Sequence, residues 1–272
     1  MSWPDRLAAL WSSERQFWAR LALVAVAIIT AGVPLLLILV LVQSRTTAVT
    51  FLDTQARDGL HGYALSHPGF VTVMEAVSNS GSSLAWQIVV AVLAGGLLWR
   101  RQVRLALFVV VANVGSSLIN GAVKTVTNRP RPVVDHPFLH EPGMSFPSGH
   151  AQAAVVGYGV LLIVILPHLH RPARWWRRSA AGLAAVMVLA IGFSRVALAV
   201  HYVTDVLAGY LLGLAWLVAM AAGFRIPWPR RTQGPPSGQT RPAAHPRPPG
   251  SEAATPCAAL TTPPTDRESP SP

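Results

Sequence analysis

Ser194-Arg195-Val196-Ala197-Leu198-Ala199-Val200-His201-Tyr202-Val203-Thr204-Asp205 sets an arginine, a histidine and an aspartate inside an otherwise apolar run. The flanking stretches, Ala180 to about Ala199 and Val203 to Phe224, are each about twenty residues long. That is enough to cross ~30 Å of hydrocarbon, where ionisable groups are expensive and mark function. His201 and Asp205 are four apart, so on a helix they share one face, one turn from each other. A carboxylate at that spacing accepts a hydrogen bond from one imidazole nitrogen and fixes the tautomer. The other nitrogen is left free to attack or to take a proton. Asp205 is the only acidic residue between Glu141 and Glu252. The competing reading is a buried ion pair that pins two helices.

Composition places the chain in a membrane. Of its 272 residues 51% are hydrophobic and 12% charged, against ~25% charged in soluble domains. Mean hydropathy is +0.42. The net charge of +11 raises nucleic acid as a partner, but the arginines stand in short clusters between apolar runs. That pattern fits loops facing anionic lipid, not a nucleic-acid face. The single cysteine, Cys257, excludes an intrachain disulfide. About twenty residues precede a first apolar run long enough to span, which reads as a retained anchor with no cleavable signal pattern.

Working outward, the chain predicts an all-α, six-span bundle over 21–224. The spans are Leu21–Val42, Ser83–Trp99, Val103 to about Val126, His150–Leu166, Ala180–Ala199 and Val203–Phe224. Ser83–Trp99 is short and interrupted by Gly95-Gly96, and Val103–Val126 is polar on one side through Asn113, Ser116, Ser117 and Asn120. In His150–Leu166 the small residues Ala151, Ala153, Ala154, Gly157 and Gly159 permit close helix packing. Residues 1–20, with Arg6, Arg15, Arg20 and three tryptophans, predict an interfacial segment. Residues 43–82 read as a mixed, polar outer loop with a short helix from Phe70 to Val77. Residues 225–272, rich in proline, serine, threonine and arginine, predict a disordered cytoplasmic tail.

Arginine counts orient the bundle. The N-terminus, 100–104, 167–178 and the start of the tail are basic and fall on one side, the cytoplasm. The 127–149 loop and the 194–202 turn then face outward. Arg129 and Arg131 in that outer loop break the rule, an exception that points to chemistry.

Three pieces collect at the outward helix ends. Lys124, the only lysine, precedes Arg131-Pro132. A point charge and a planar donor fork together suit a phosphate, although a lone lysine at a span end also snorkels. Pro147-Ser148-Gly149-His150 opens a span, where free N–H groups and the helix dipole favour an anion. The plainer reading of Ser148 is a helix cap. His150 adds a group with a reference pKa near ~6.5, suited to protonating a leaving group. Arg195, His201 and Asp205 are the third piece. His136, His140 and Glu141 share the outer loop, but their spacing matches no metal-ligand pattern.

Lys124-x6-Arg131-Pro132, Pro147-Ser148-Gly149-His150 and Ser194-Arg195-x5-His201-x3-Asp205 together resemble the three-part signature of the type-2 phosphatidic acid phosphatase family. That family shares its site with vanadium haloperoxidases and bacterial acid phosphatases. Relatives often carry glycine where this chain has Ala199, a difference that bears on the turn and touches no catalytic group. The resemblance implies that His201 attacks phosphorus and forms a phosphohistidine, oriented by Asp205. It implies that His150 protonates the departing oxygen and then activates water. Lys124, Arg131, Arg195, Ser148 and the Gly149 amide would hold the phosphoryl oxygens, with no metal and no cofactor. The implied substrates are lipid phosphates such as undecaprenyl diphosphate, phosphatidic acid and phosphatidylglycerophosphate, met at the outer face of the plasma (inner) membrane. A six-span transporter or channel and a vanadate-dependent haloperoxidase are the alternatives.

Overall fold

The structure, a computed structural model, describes residues 28–168 and 174–224 together with residues 18, 21–22 and 25–26. The expected interfacial segment at 1–20, residue 18 apart, and the expected tail at 225–272 lie outside the described residues. The described residues form helices and no strand. A π-helical turn, Ile28–Gly32, leads into α1 (Val33–Gln43), α2 (Thr47–Ser66), α3 (Pro68–Ser80) and α4 (Ser83–Trp99). Then follow α5 (Val103–Thr127), α6 (Gly149–Ile165), α7 (Arg174–Ala197) and α8 (Val203–Gly223).

The ends of these helices follow local chemistry. Helices α1 and α3 carry proline in the first turn, where its missing N–H leaves no intrahelical bond unmade. Helices α4 and α6 open on serine caps: Ser82 Oγ accepts from Ala85 N at 3.3 Å and Ser148 Oγ from Ala151 N at 3.5 Å. Asn128 stops α5 in the left-handed region, at φ 47°.

Four stretches are long and apolar enough to cross a bilayer: Pro68–Trp99, Val103–Thr127, Trp175–Ala197 and Val203–Gly223. Ile29–Gln43 and Thr47–Ser66 make a fifth only as a pair bent by 91°. Helix α6 is apolar but only 17 residues long. At 1.5 Å per residue it reaches about 25 Å, short of the ~30 Å core. By length and composition, four of the described stretches, or five with the bent pair, qualify against the six spans expected, and α6 is the expected span that falls short. The polar outer loop expected at 43–82 is instead helical over most of its length, as α2 and α3. Its mixed pattern is that of a partly exposed helix: Asp53 and His61 are buried while Phe51, Leu52 and Tyr63 are exposed. The short helix expected from Phe70 to Val77 lies within α3, and α4 runs unbroken through Gly95-Gly96.

Helix α6 packs against α4, α5, α7 and α8. Its closest neighbour is α8, because that helix presents glycines. A Cβ on Gly209 would stand 2.6 Å from the Ser148 carbonyl oxygen, and one on Gly213 3.0 Å from that of Gln152. The small residues of α6 behave as their sequence predicts: Ala151 and Ala154 are fully buried, and Gly157 lies against the Trp86 ring. Polarity rises along α6 toward its N-terminus. Val164, Val160 and Val156 pack with Phe108, Val109 and Ala112. One turn on, Gln152 accepts from Asn120 Nδ2 at 2.7 Å and donates to Ser116 Oγ at 2.8 Å. This satisfied polar layer closes the apolar core beneath the helix end that bears His150. Leu36, Val40, Ile88, Val92, Leu107, Leu118, Val186 and Leu189 are left exposed around the bundle, as lipid contact requires. At the opposite end of the bundle, Arg104 donates to the carbonyl of Phe224.

Candidate active site

The C-terminal ends of α5 and α7, the N-terminal ends of α6 and α8 and the 128–148 loop meet at one end of the bundle. The turn between α7 and α8 is the focus. Helix α7 stops at Ala197, and the N–H groups of Val200 and His201 both return to the Arg195 carbonyl at 3.2 Å. Ala199 takes φ 54°, a left-handed conformation that costs a residue with a Cβ about 1 kcal/mol. A glycine at this position would take the same turn without that cost. Helix α8 begins only at Val203, so His201 and Asp205 do not share one helix face as their spacing suggests. They meet because Asp205, in the first turn of α8, reaches back toward the helix start. Its Oδ2 accepts from Tyr202 N at 2.9 Å and lies 3.4 Å from His201 Nδ1.

At 3.4 Å that contact is long and poorly aligned for a hydrogen bond, as catalytic pairs often are before substrate binds. Both residues are buried, at 1% and 0% exposure. Burial pushes the His201 imidazole down to about 4, against the pull of Asp205. The ring is therefore neutral at pH 7. Its Nε2 stands 3.3 Å from Arg131 Nη1, which also donates to the Val200 carbonyl at 3.0 Å. With Nδ1 facing the carboxylate, Nε2 is the nitrogen that carries the lone pair, and it accepts from Arg131 Nη1.

Arg195 is buried, and its guanidinium donates to Ser78 Oγ at 2.6 Å and to Glu141 Oε1 at 2.7 Å. Its Nε is a buried donor with no protein partner. Lys124 lies within electrostatic reach of Arg131, Glu141, Asp205 and Arg195. His150 lies within reach of Arg195, Glu141, His201 and Lys124. Lys124, Arg131, His150, Arg195, His201 and Asp205 are thus brought together. Ser148 is fully buried; its Oγ caps α6 and its N–H donates to the Asp205 carbonyl at 2.9 Å. The cap ties the His150 end of α6 to the His201 end of α8. The Gly149 backbone follows at the helix N-terminus.

Five residues in or beside this cluster carry no motif. Glu141 does not join His136 and His140: among the described residues no three His, Cys, Asp or Glu side chains gather as a metal set. Instead its carboxylate occupies Arg195. Burial opposes its ionisation, but the hydrogen bond and charge of Arg195, with His150 and Arg131 nearby, outweigh that. The carboxyl is held below the usual carboxylate range. An anion entering this cluster must compete with Glu141. Glu141→Gln is therefore expected to tighten inhibition by inorganic phosphate about two- to fivefold, the scale of a half-exposed ion pair. Unchanged or weaker inhibition would place Glu141 outside the anion seat.

Arg129, flagged only as a charge on the wrong side, spans Asp205 Oδ1 at 2.5 Å and Asp53 Oδ2 at 2.8 Å. It also donates to Thr204 Oγ1 at 2.8 Å and stacks 4.2 Å from the Tyr202 ring centroid. Burial works against its charge, yet Asp205 and Asp53 outweigh it and hold the guanidinium above its ordinary range. Asp53, Thr204 and Ser78 complete the set. Asp53 and Ser78 lie in the stretch read as a loop, far from any motif, and no signal in the chain finds them. A cavity of about 620 Å³ opens beside Arg129 and Asp53, walled by Phe51, Thr54, Pro130 and Tyr202; Lys124, His150 and His201 do not line it.

Known proteins resemble this chain in sequence and in fold. A sequence model of the PAP2 superfamily matches residues 105–227. Phosphatidylglycerophosphatase B of Bacillus subtilis is 31% identical over 160 residues, 59% of this chain and 77% of the relative. Undecaprenyl-diphosphatase of Sulfolobus acidocaldarius is 29% identical over 150 residues, 53% of this chain and 66% of the relative. The crystal structure of a transmembrane PAP2 type phosphatidylglycerolphosphate phosphatase from Bacillus subtilis superposes with a TM-score of 0.66 at 25% identity. It aligns with 75% of this chain and 98% of its own.

Proposed function

This chain belongs to the PAP2 superfamily, and from that premise we propose that it hydrolyses the phosphomonoester or diphosphate head group of a membrane lipid. It is a multi-pass membrane protein whose relatives are phosphatases. The observation that carries the reading is the lone-pair nitrogen of a buried, neutral imidazole standing 3.3 Å from a guanidinium donor, Arg131 Nη1. A nucleophile and a fixed cation side by side suit a phosphoryl group, whose transfer needs positioning and positive charge more than covalent invention.

His201 Nε2 attacks phosphorus and forms a phosphohistidine, with Nδ1 held toward Asp205. His150 gives a proton to the departing oxygen and then takes one from the water that releases phosphate. Lys124, Arg131 and Arg195 hold the phosphoryl oxygens, joined by the Ser148 hydroxyl and the Gly149 amide at the start of α6. These residues supply the charge, and the reaction proceeds without a metal. The lipid chain stays in the bilayer while its head group enters between the helix ends. The bundle crosses six times, with α6 as a short inner crossing. The basic ends and both termini face the cytoplasm and the site faces outward in the plasma (inner) membrane.

The test is phosphate release by purified protein, in chelator, from phosphatidylglycerophosphate, phosphatidic acid and undecaprenyl diphosphate. Release from at least one, unaffected by chelator, is expected. Release only on adding a divalent ion, or none from any of the three, contradicts the reading.

A further inference from the structure

We infer that Asp53 and Arg129 form a clamp that sets the position of Asp205, and through it of His201. The inference rests on the phosphatase reading for its kinetic consequences but not for its geometry. Asp205 has two oxygens and several claimants. Oδ2 takes the Tyr202 N–H at 2.9 Å and faces His201 Nδ1 at 3.4 Å, while Oδ1 is held by Arg129 at 2.5 Å. Arg129 is in turn divided, because its other terminal nitrogen is held by Asp53 at 2.8 Å. Asp53 also accepts from Thr204 N at 3.1 Å and from Thr204 Oγ1 at 2.6 Å. Asp53, Arg129 and Thr204 thereby close a ring that fastens the first turn of α8 to α2.

Two carboxylates share one guanidinium, and the sharing has a direction. With Asp53 ionised, Arg129 is pulled toward α2 and grips Asp205 through one oxygen only. With Asp53 neutral, the planar fork is free to take both Asp205 oxygens, the geometry guanidinium and carboxylate prefer. Oδ2 would then be drawn from His201. Asp53 is 1% exposed and makes no contact with the cationic cluster that would hold a phosphate, so its effect reaches the reaction only through Asp205. Asp53 and Arg129 are positioning residues.

The variants are Asp53→Asn, which keeps the shape and removes the charge, and Arg129→Lys, which keeps the charge and removes the fork. Two readouts are needed. The first is the ¹⁵N signal of the His201 ring in protein labelled at histidine, assigned by its absence in His201→Ala. It is expected to move in both clamp variants while the His150 signal stays. This readout does not depend on any substrate being turned over. The second is kinetic, on whichever lipid phosphate the wild type hydrolyses. Here kcat is expected to fall about 10- to 100-fold, the scale of losing an outer carboxylate behind a catalytic histidine, with inhibition by inorganic phosphate within about threefold of wild type. A His201 signal that stays put in Asp53→Asn overturns the clamp, whether or not the wild type is a phosphatase. So does a loss of phosphate affinity that matches the loss of kcat, since that marks general damage to the site. A moved signal in a wild type that hydrolyses no lipid phosphate supports the clamp and rejects the phosphatase reading.

Discussion

Replacing His201 by alanine is expected to remove lipid phosphate hydrolysis altogether, by about 10⁴-fold or more, as loss of a covalent nucleophile does elsewhere. No other group in the cluster replaces it. His150 shares the cluster, but the carboxylate within its reach, Glu141, is held by Arg195, and Asp205 is engaged by Arg129 and the Tyr202 N–H. The imidazole is buried and already neutral, so it attacks without first losing a proton to solvent. The pH profile follows with a definite sign. Protonation removes the nucleophile, and burial holds that protonation down to about 4. The acid limb of kcat/KM should therefore lie below the ordinary histidine range near ~6.5, with activity lost as pH falls through about 4. Residual turnover in His201→Ala within about tenfold of wild type would remove the residue from the reaction.

The second large effect is at Arg195. Its guanidinium is fully buried, reaches Ser78 and Glu141 with separate nitrogens, and turns an unpartnered Nε to the interior. Arg195→Lys keeps one charge at this place but has no planar fork to hold both partners and a phosphoryl oxygen. The expected loss in kcat/KM is about 10²–10³, the range for removing one donor from a preorganised anion site. Lysine leaves Glu141 a cation nearby, so the fold should survive where Arg195→Ala would strand it. The check is kcat/KM beside a thermal unfolding midpoint. A midpoint near wild type with kcat/KM lowered less than about threefold would make Arg195 a structural tie between α3, α7 and the loop.

The two charge clusters at Arg129 and Arg195 show how much of this site the chain reveals by itself. The proximity of Lys124, Arg131, His150, Arg195, His201 and Asp205 was legible because each sits at a helix end or in the loop or turn that joins two of them, where short spacing in sequence survives as proximity in space. Their residue types also have few other uses at such positions. Span ends were legible for the same reason: the ends of α5, α6 and α8 fall within a residue or two of the apolar runs. Asp53 was not legible. Its stretch reads as polar because α2 shows one face to the bundle and another to its surroundings, and its partners Arg129 and Thr204 are distant in sequence. Glu141 was left without a role, since its spacing from His136 and His140 matches no metal-ligand pattern. No pattern in the chain pairs it with Arg195, 54 residues on, to which the loop turns its carboxylate. His201 and Asp205 come within 3.4 Å of each other, but not through the shared helical face that their spacing suggested. A left-handed residue and a helix start bring them together, not one helical face.

The central claim is that cations gathered at the helix ends hold a lipid's phosphoryl group while His201 takes it. The direct measurement is an acid-free quench of the protein after brief mixing with a ³²P-labelled lipid phosphate, followed by mass mapping of the labelled peptide. The claim predicts label on the imidazole of His201, acid-labile and alkali-stable, and lost in His201→Ala. Label on any other residue, or steady turnover with His201 never labelled, contradicts it.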